Sequence, residues 1–261
     1  MIMKKTLIAL VVAGGAIASG SAMAWAPNGI GGTVELGGTL TPQDVVTPWE
    51  IKVGDKVTDL NADIKKGQST VGLSTNKSIE ILGIRTKDGV AFAGESDIAP
   101  IINYGGAIDA SKFTAGETPL TLPVKDDTGQ EIGTLKTSLF AQAYSSEKSS
   151  VNPDDDVKFF VYSESPTSAF HGGLGESPDA ISTDDLASSY MPEAEANFTN
   201  QDAKYVDPQE SFYGASDKTY SGYYFSVIKP NQRIEIDLNK PVTGDTQIKW
   251  NASLPITISY Q

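Results

Sequence analysis

Leu254-Pro255-Ile256-Thr257-Ile258-Ser259-Tyr260-Gln261 closes a chain of 261 residues and alternates large apolar residues with small or polar ones. Successive side chains of a strand point to opposite faces, so Leu254, Ile256, Ile258 and Tyr260 share one face. Such a segment dips one face into a core and leaves the other wet. The same period of two recurs upstream: Trp49, Ile51 and Val53 alternate with Glu50 and Lys52, and Ile234, Ile236 and Leu238 with Arg233, Glu235 and Asp237. Further strands read in Ser78–Ile84, Leu120–Val124, Leu135–Leu139, Val157–Tyr162 and Tyr223–Ile228. Lys87-Asp88-Gly89, Asp126-Asp127-Thr128-Gly129 and Thr243-Gly244-Asp245 supply turns. Many short strands with turns between them predict an all-β sandwich.

The opposite end has a different character. Met1-Ile2-Met3-Lys4-Lys5 gives a short basic start, an apolar run follows, and Ala22-Met23-Ala24 places small residues where a signal peptidase reads. Residues 1–24 are therefore expected to be a signal peptide, cleaved between Ala24 and Trp25. The stretch from Thr6 to Ala18 is broken by glycine and short for a bilayer core of about 30 Å, which disfavours a permanent anchor.

The formal net charge is −13, and losing Lys4 and Lys5 makes the remainder more acidic still. Phosphate backbones and anionic lipid would repel such a chain, so no nucleic-acid partner is expected. There is no cysteine, which removes thiol chemistry and cysteine-based metal sites and leaves stability to a hydrophobic core.

One region breaks the alternation, and it is read as an insertion at about 145–220 within a single domain. From Phe159 to Ala203 there is no Lys or Arg, there are eight acids, and Ser, Pro, Gly and Asn abound. Within it, Ser182 to Asp185 has the spacing of a capping box. Leu186 and Tyr190 lie four apart and Pro192 follows, predicting a short helix that stops before the proline. Aromatics cluster from Phe159 to Phe225, mostly as packing beneath the insertion; an aromatic face with polar neighbours also suits the apolar side of a sugar ring.

No residue set selects a catalytic chemistry. His171 is the one histidine, without a Gly-x-Ser-x-Gly elbow, and a single imidazole without thiols is a thin basis for zinc. Asn152-Pro153-Asp154-Asp155-Asp156 lacks the ligand spacing and central glycine of a calcium loop and reads as a solvated turn. The chain is expected to be no enzyme and to need neither cofactor nor metal.

The sequence after Trp25 mirrors the C-terminus. Ile30, Gly32, Val34, Leu36 and Leu40 share one parity, with small or polar residues between them. On pattern alone each end reads equally well as an ordinary edge strand of its own sheet. Over nearly its whole length, however, the chain resembles the FaeG-like family of fimbrial subunits. The likeness rests on Lys4–Leu10, Gly31-Gly-Thr-Val-Glu-Leu-Gly-Gly-Thr-Leu-Thr41, Trp49-Glu-Ile-Lys-Val-Gly54, Leu122-Pro-Val-Lys125, Gly129–Lys136, Phe170-His-Gly-Gly-Leu174, Ala196-Asn-Phe-Thr199 and Leu254–Tyr260, in that order.

The resemblance implies an incomplete immunoglobulin-like β-sandwich, residues 41–261, completed by donor-strand exchange. Residues 25–40 would be the donor extension, with Ile30, Val34, Leu36 and Leu40 as knobs and Gly32 over a shallow position. The C-terminal strand, Leu254 to Tyr260, would border the open groove. It implies a periplasmic chaperone, an outer-membrane usher, neighbouring subunits in a homopolymer and a place in a surface fimbrium. Relatives that are adhesins imply a host glycoconjugate recognised by the inserted region, and Phe170, His171, Gly172 and Gly173 are the best-matched positions there.

Overall fold

Thirteen strands and two short α-helices occur among the described residues of the computed structural model, which are 34, 36–41 and 46–261. The first strands are β1 (Trp49–Val53), β2 (Thr70–Leu73), β3 (Ile79–Thr86), β4 (Phe92–Ala93) and β5 (Pro100–Asn103). β6 (Glu117–Lys125), β7 (Glu131–Ser149) and β8 (Val157–Phe160) follow, then α1 (Ala187–Tyr190) and α2 (Pro192–Glu195). The chain ends with β9 (Lys204–Tyr205), β10 (Lys218–Ile228), β11 (Ile234–Leu238), β12 (Asn251–Ala252) and β13 (Thr257–Tyr260).

Eleven strands form one sheet whose main path runs β1-β3-β10-β7-β11-β2. Its pairs are antiparallel except β8 with β9. β5 and β13 form a second, two-stranded antiparallel sheet. Ile102 of that sheet joins Leu82, Ile84, Leu120, Leu135 and Tyr224 of the larger one in a single core. The fold is all-β, antiparallel and immunoglobulin-like, as the sequence reading expects.

Local chemistry explains the regular parts. In β6 every second residue is buried, and Leu120, Leu122 and Val124 enter the core while Thr121 and Pro123 stay out. The β6–β7 hairpin closes on Asp126, whose carboxylate accepts from the backbone N–H of Thr128 and Gln130. Gly129 sits there at φ +86°, a conformation open to glycine at little cost.

β10 departs from alternation, because Tyr220 through Ile228 are all buried. One face, with Tyr220 and Tyr224, meets the main core; the other, with Tyr223, Phe225 and Val227, packs under Ala187, Met191 and Ala194 of the helical segment. The insertion is therefore a lid on the outer face of the sheet. Gly83 of β3 makes room for it, since a Cβ there would lie 2.7 Å from Met191 Cε. Gln142 of β7 pins it: its Nε2 donates to the carbonyls of Ser182 and Asp184, at 3.2 and 2.6 Å, and its Oε1 accepts from Leu186 N–H at 3.2 Å.

Two details of the expected helix change. Ser182 Oγ accepts from Asp184 N–H in a turn, and α1 begins only at Ala187 without a side-chain cap. Pro192 does not end the helical stretch but opens α2, in whose first turn a missing N–H costs nothing. Regular strands enter the stretch 145–220 at both ends, where β7 runs to Ser149, β8 to Phe160, and β10 begins at Lys218.

Candidate functional site

Among the described residues the C-terminal strand has one neighbour. β13 pairs with β5 from Thr257↔Asn103 to Tyr260↔Pro100, and Gln261 exchanges two backbone hydrogen bonds with Ala99, at 3.0 and 3.1 Å. In an antiparallel ladder such bonded pairs alternate, so Ser259 and Thr257 also face β5 while the backbone groups of Ile258 and Tyr260 point the other way. No strand among the described residues pairs with that outer edge. The side chains of Leu254, Ile256, Ile258 and Tyr260 are half-buried and packed against the main core. β13 thus presents an open ladder beside apolar side chains that are only partly covered.

A second exposed apolar row lies on β1. Trp49 is 6% exposed and its indole N–H donates to Ile98 O at 2.7 Å, just before β5. Ile51 and Val53 share its parity yet remain 43% and 59% exposed. The face that Trp49 carries into the core therefore comes to the surface two and four residues later.

Phe170, His171, Gly172 and Gly173 brace the other edge of β5. Phe170 N–H donates to Pro100 O, and His171 O accepts from Ile102 N–H at 2.8 Å. Phe170 is fully buried at φ +63°, with its ring stacked on Tyr224 at 5.4 Å and edge-on to Trp49 at 5.9 Å. A ring with no exposed face offers nothing for a sugar to stack on. Gly172, at φ +80°, would put a Cβ 2.3 Å from Ile102 O, and a Cβ on Gly173 would meet Ile102 Cδ1 at 2.6 Å. These four residues hold β5 in place, and β5 holds β13.

His171 is half-buried, with Nδ1 3.4 Å from Ser163 Oγ, and Ser163 is itself fully buried against Ser168. A hydroxyl enclosed in this way faces no substrate. Below the same corner the Tyr104 hydroxyl bonds those of Tyr224 and Ser226, and Tyr224 donates to Gly173 O. Burial pushes the Tyr104 phenol up to about 12, so it stays neutral. Asn152 caps a 3-10 turn by accepting from Asp154 N–H, and Asp156 accepts from Ser149 N–H, so this acidic run is tied into loop structure.

Of the expected donor knobs, Val34, Leu36 and Leu40 are described; they are 83%, 93% and 97% exposed and lie in no regular element. Ile30, Gly32, Trp25 and the expected signal peptide through Ala24 lie outside the described residues. The sequence reading missed β5, the one partner of β13 among the described residues. Its signal is the run Ile98-Ala99-Pro100-Ile101-Ile102 followed by Gly105-Gly106, an apolar stretch bounded by a turn.

Comparison with known proteins gives this arrangement its setting. The chain is 30% identical to K88 fimbrial protein AB of Escherichia coli, covering 99% of this chain and 100% of that protein. It is 29% identical to K88 fimbrial protein AC and 26% to F41 fimbrial protein, both of Escherichia coli and both over 99% of this chain and 100% of theirs. The family described as fimbrial, major and minor subunit, of the K88 type, matches residues 3–261. With that match running through β1, the brace of β5 and the one-sided β13, the chain belongs to the K88-type family of fimbrial subunits.

Proposed function

We propose that this fimbrial subunit polymerises by donor-strand exchange, with residues 25–40 of one copy completing the sheet of the next. The observation that supports this most directly is the one-sided ladder of β13 above half-buried Leu254, Ile256, Ile258 and Tyr260. An unpaired edge over a partly bare core is a template for another strand. The exported segment carries a fitting one: Ile30, Val34, Leu36 and Leu40 as knobs, spaced by two or four residues, and Gly32 where a pocket is shallow. During transit a periplasmic chaperone covers the edge, the outer-membrane usher exchanges it for the next subunit, and the fibre emerges at the cell surface. Deleting residues 25–40 while retaining the signal should leave a chain that binds its chaperone but forms no polymer. A deletion mutant that still polymerises would end the donor role.

The same reading gives the inserted region adhesion to host-cell glycans, supported by its size and its aromatic content. A glycan array on a subunit complemented with its own donor strand tests this. No binding at millimolar glycan, with adhesion unchanged after replacement of the loops between β8 and β10, refutes it. A second reading, a shaft subunit without receptor binding, draws support from Phe170 to Gly173, whose place in the fold is that of a packing corner.

A further inference from the structure

A cavity of about 570 Å³ opens where the lid of the sheet meets β7, β8 and β10. Its aromatic wall follows from strand register. Tyr144 of β7 lies opposite Phe160 of β8 on one side and Tyr223 of β10 on the other, so three adjacent strands set three rings side by side. The Tyr144 and Phe160 centroids are 4.7 Å apart at 70°, and Tyr205 of β9 stands edge-on to Phe160 at 6.3 Å. Phe198, just after α2, closes against Tyr144 at 5.4 Å and 71° and against Tyr223 at 5.6 Å and 85°. These rings pack edge to face on one another, and all five line the cavity.

The lid adds charge. Asp185, before α1, and Glu195, at the end of α2, both line the cavity. Neither carboxylate makes a hydrogen bond or ion pair with any described residue. Burial pushes the Glu195 carboxyl upward and the nearby Asp185 pushes it further; burial also raises the Tyr223 phenol, and the same two carboxylates add to it. Lys158 lines the cavity as well, but one ammonium does not balance two carboxylates.

We propose that this cavity binds an organic ammonium group, held over the faces of Tyr144, Phe160 and Tyr205 and countered by Asp185 and Glu195. Ring faces carry negative quadrupole potential, and a soft cation enclosed by aromatic walls is attracted without a large desolvation cost. The two unpartnered carboxylates supply the charge that such a ligand neutralises. A neutral sugar would also stack on these rings, but it would leave both carboxylates uncompensated. This site stands apart from the strand edge on which polymerisation is proposed, and it does not depend on it.

The test titrates the purified full chain with choline and with 3,3-dimethylbutan-1-ol, the uncharged molecule of the same shape, using ligand-observed NMR. Choline should bind about ten-fold more tightly than its neutral isostere. Tyr205→Ala and the double variant Asp185→Asn with Glu195→Gln should each weaken choline several-fold. Asp185 and Tyr205 are exposed and half-buried Glu195 changes only to its isosteric amide, so both variants should fold, and an unchanged urea midpoint verifies it. Equal binding of choline and its isostere overturns the proposal. So does choline binding that survives the double variant, or galactose that competes for Tyr205 where choline does not.

Discussion

Leu36→Ala separates the donor-strand mechanism from every account in which residues 25–40 are a passive leader. Leu36 is 93% exposed, so its truncation should leave the stability of the isolated subunit within about 0.5 kcal/mol of the parent, as for a surface site. If the same side chain is buried in the groove of the next subunit, the change becomes a large-to-small core substitution, costing about 2–5 kcal/mol per junction. For a domain of this size each kcal/mol moves the midpoint by about 2–4 °C, so fibres should dissociate on the order of 4–20 °C lower. Thr39→Ala, of opposite parity, is the matched control and should shift neither species. The assay is thermal dissociation of purified fibres followed by gel, beside circular dichroism of the monomer. Fibres as stable as the parent's refute the reasoning, and so does a monomer destabilised as much as the fibre.

Three further outcomes follow from the body of the fold. Gly172→Ala adds a Cβ 2.3 Å from Ile102 O at a positive φ; clash and strain together should cost about 2–5 kcal/mol in urea unfolding and speed hydrogen exchange at the Gln261 amide, which donates to Ala99 O just before β5. Gln142→Leu removes three hydrogen bonds that fasten the lid, at about 2–4 kcal/mol, and should make the Glu193 and Glu195 peptide bonds quicker targets of a glutamyl endopeptidase while β7 stays protected. Asp237 bonds Lys136 and Thr70, which hold its carboxyl below the ordinary 3.8. A depressed carboxyl stabilises the fold above its unfolded pKa and loses that contribution as pH falls through the folded value. Acid unfolding below pH 3.8 should therefore be shallower in Asp237→Asn than in the parent, and equal slopes would refute the coupling.

Much of the fold was legible wherever one face of a strand is wet. Leu120 to Val124 and Ile234 to Ile236 alternate because a core lies on one side and solvent on the other, whereas in Trp49 to Val53 only Trp49 reaches the core and Ile51 and Val53 stay exposed. The rest of β7, from Phe140 to Ser149, was not legible, since most of its residues are buried regardless of parity. Its outer face is dry because the lid covers it, and a period-two pattern disappears when both faces are dry. The helical stretch was legible as to its existence but not its bounds; Ser182 has a capping residue's identity, yet Gln142, forty residues earlier, takes the backbone groups that would have shaped the cap.

The candidate site divides along the same line. By itself the sequence determined an all-β fold, a C-terminal segment with Leu254, Ile256, Ile258 and Tyr260 on one face, and a matching parity from Ile30 to Leu40, because parity is a local property of backbone geometry. Only tertiary structure decided that β13 has a single partner among the described residues, since an edge is defined by what lies beside a strand and not by its own residues. It also decided that Phe170 to Gly173 brace β5, and that Asp185 and Glu195 meet Tyr144, Phe160 and Tyr223. Those groups come from segments far apart in the chain, and only the closing of the lid on the sheet brings them together.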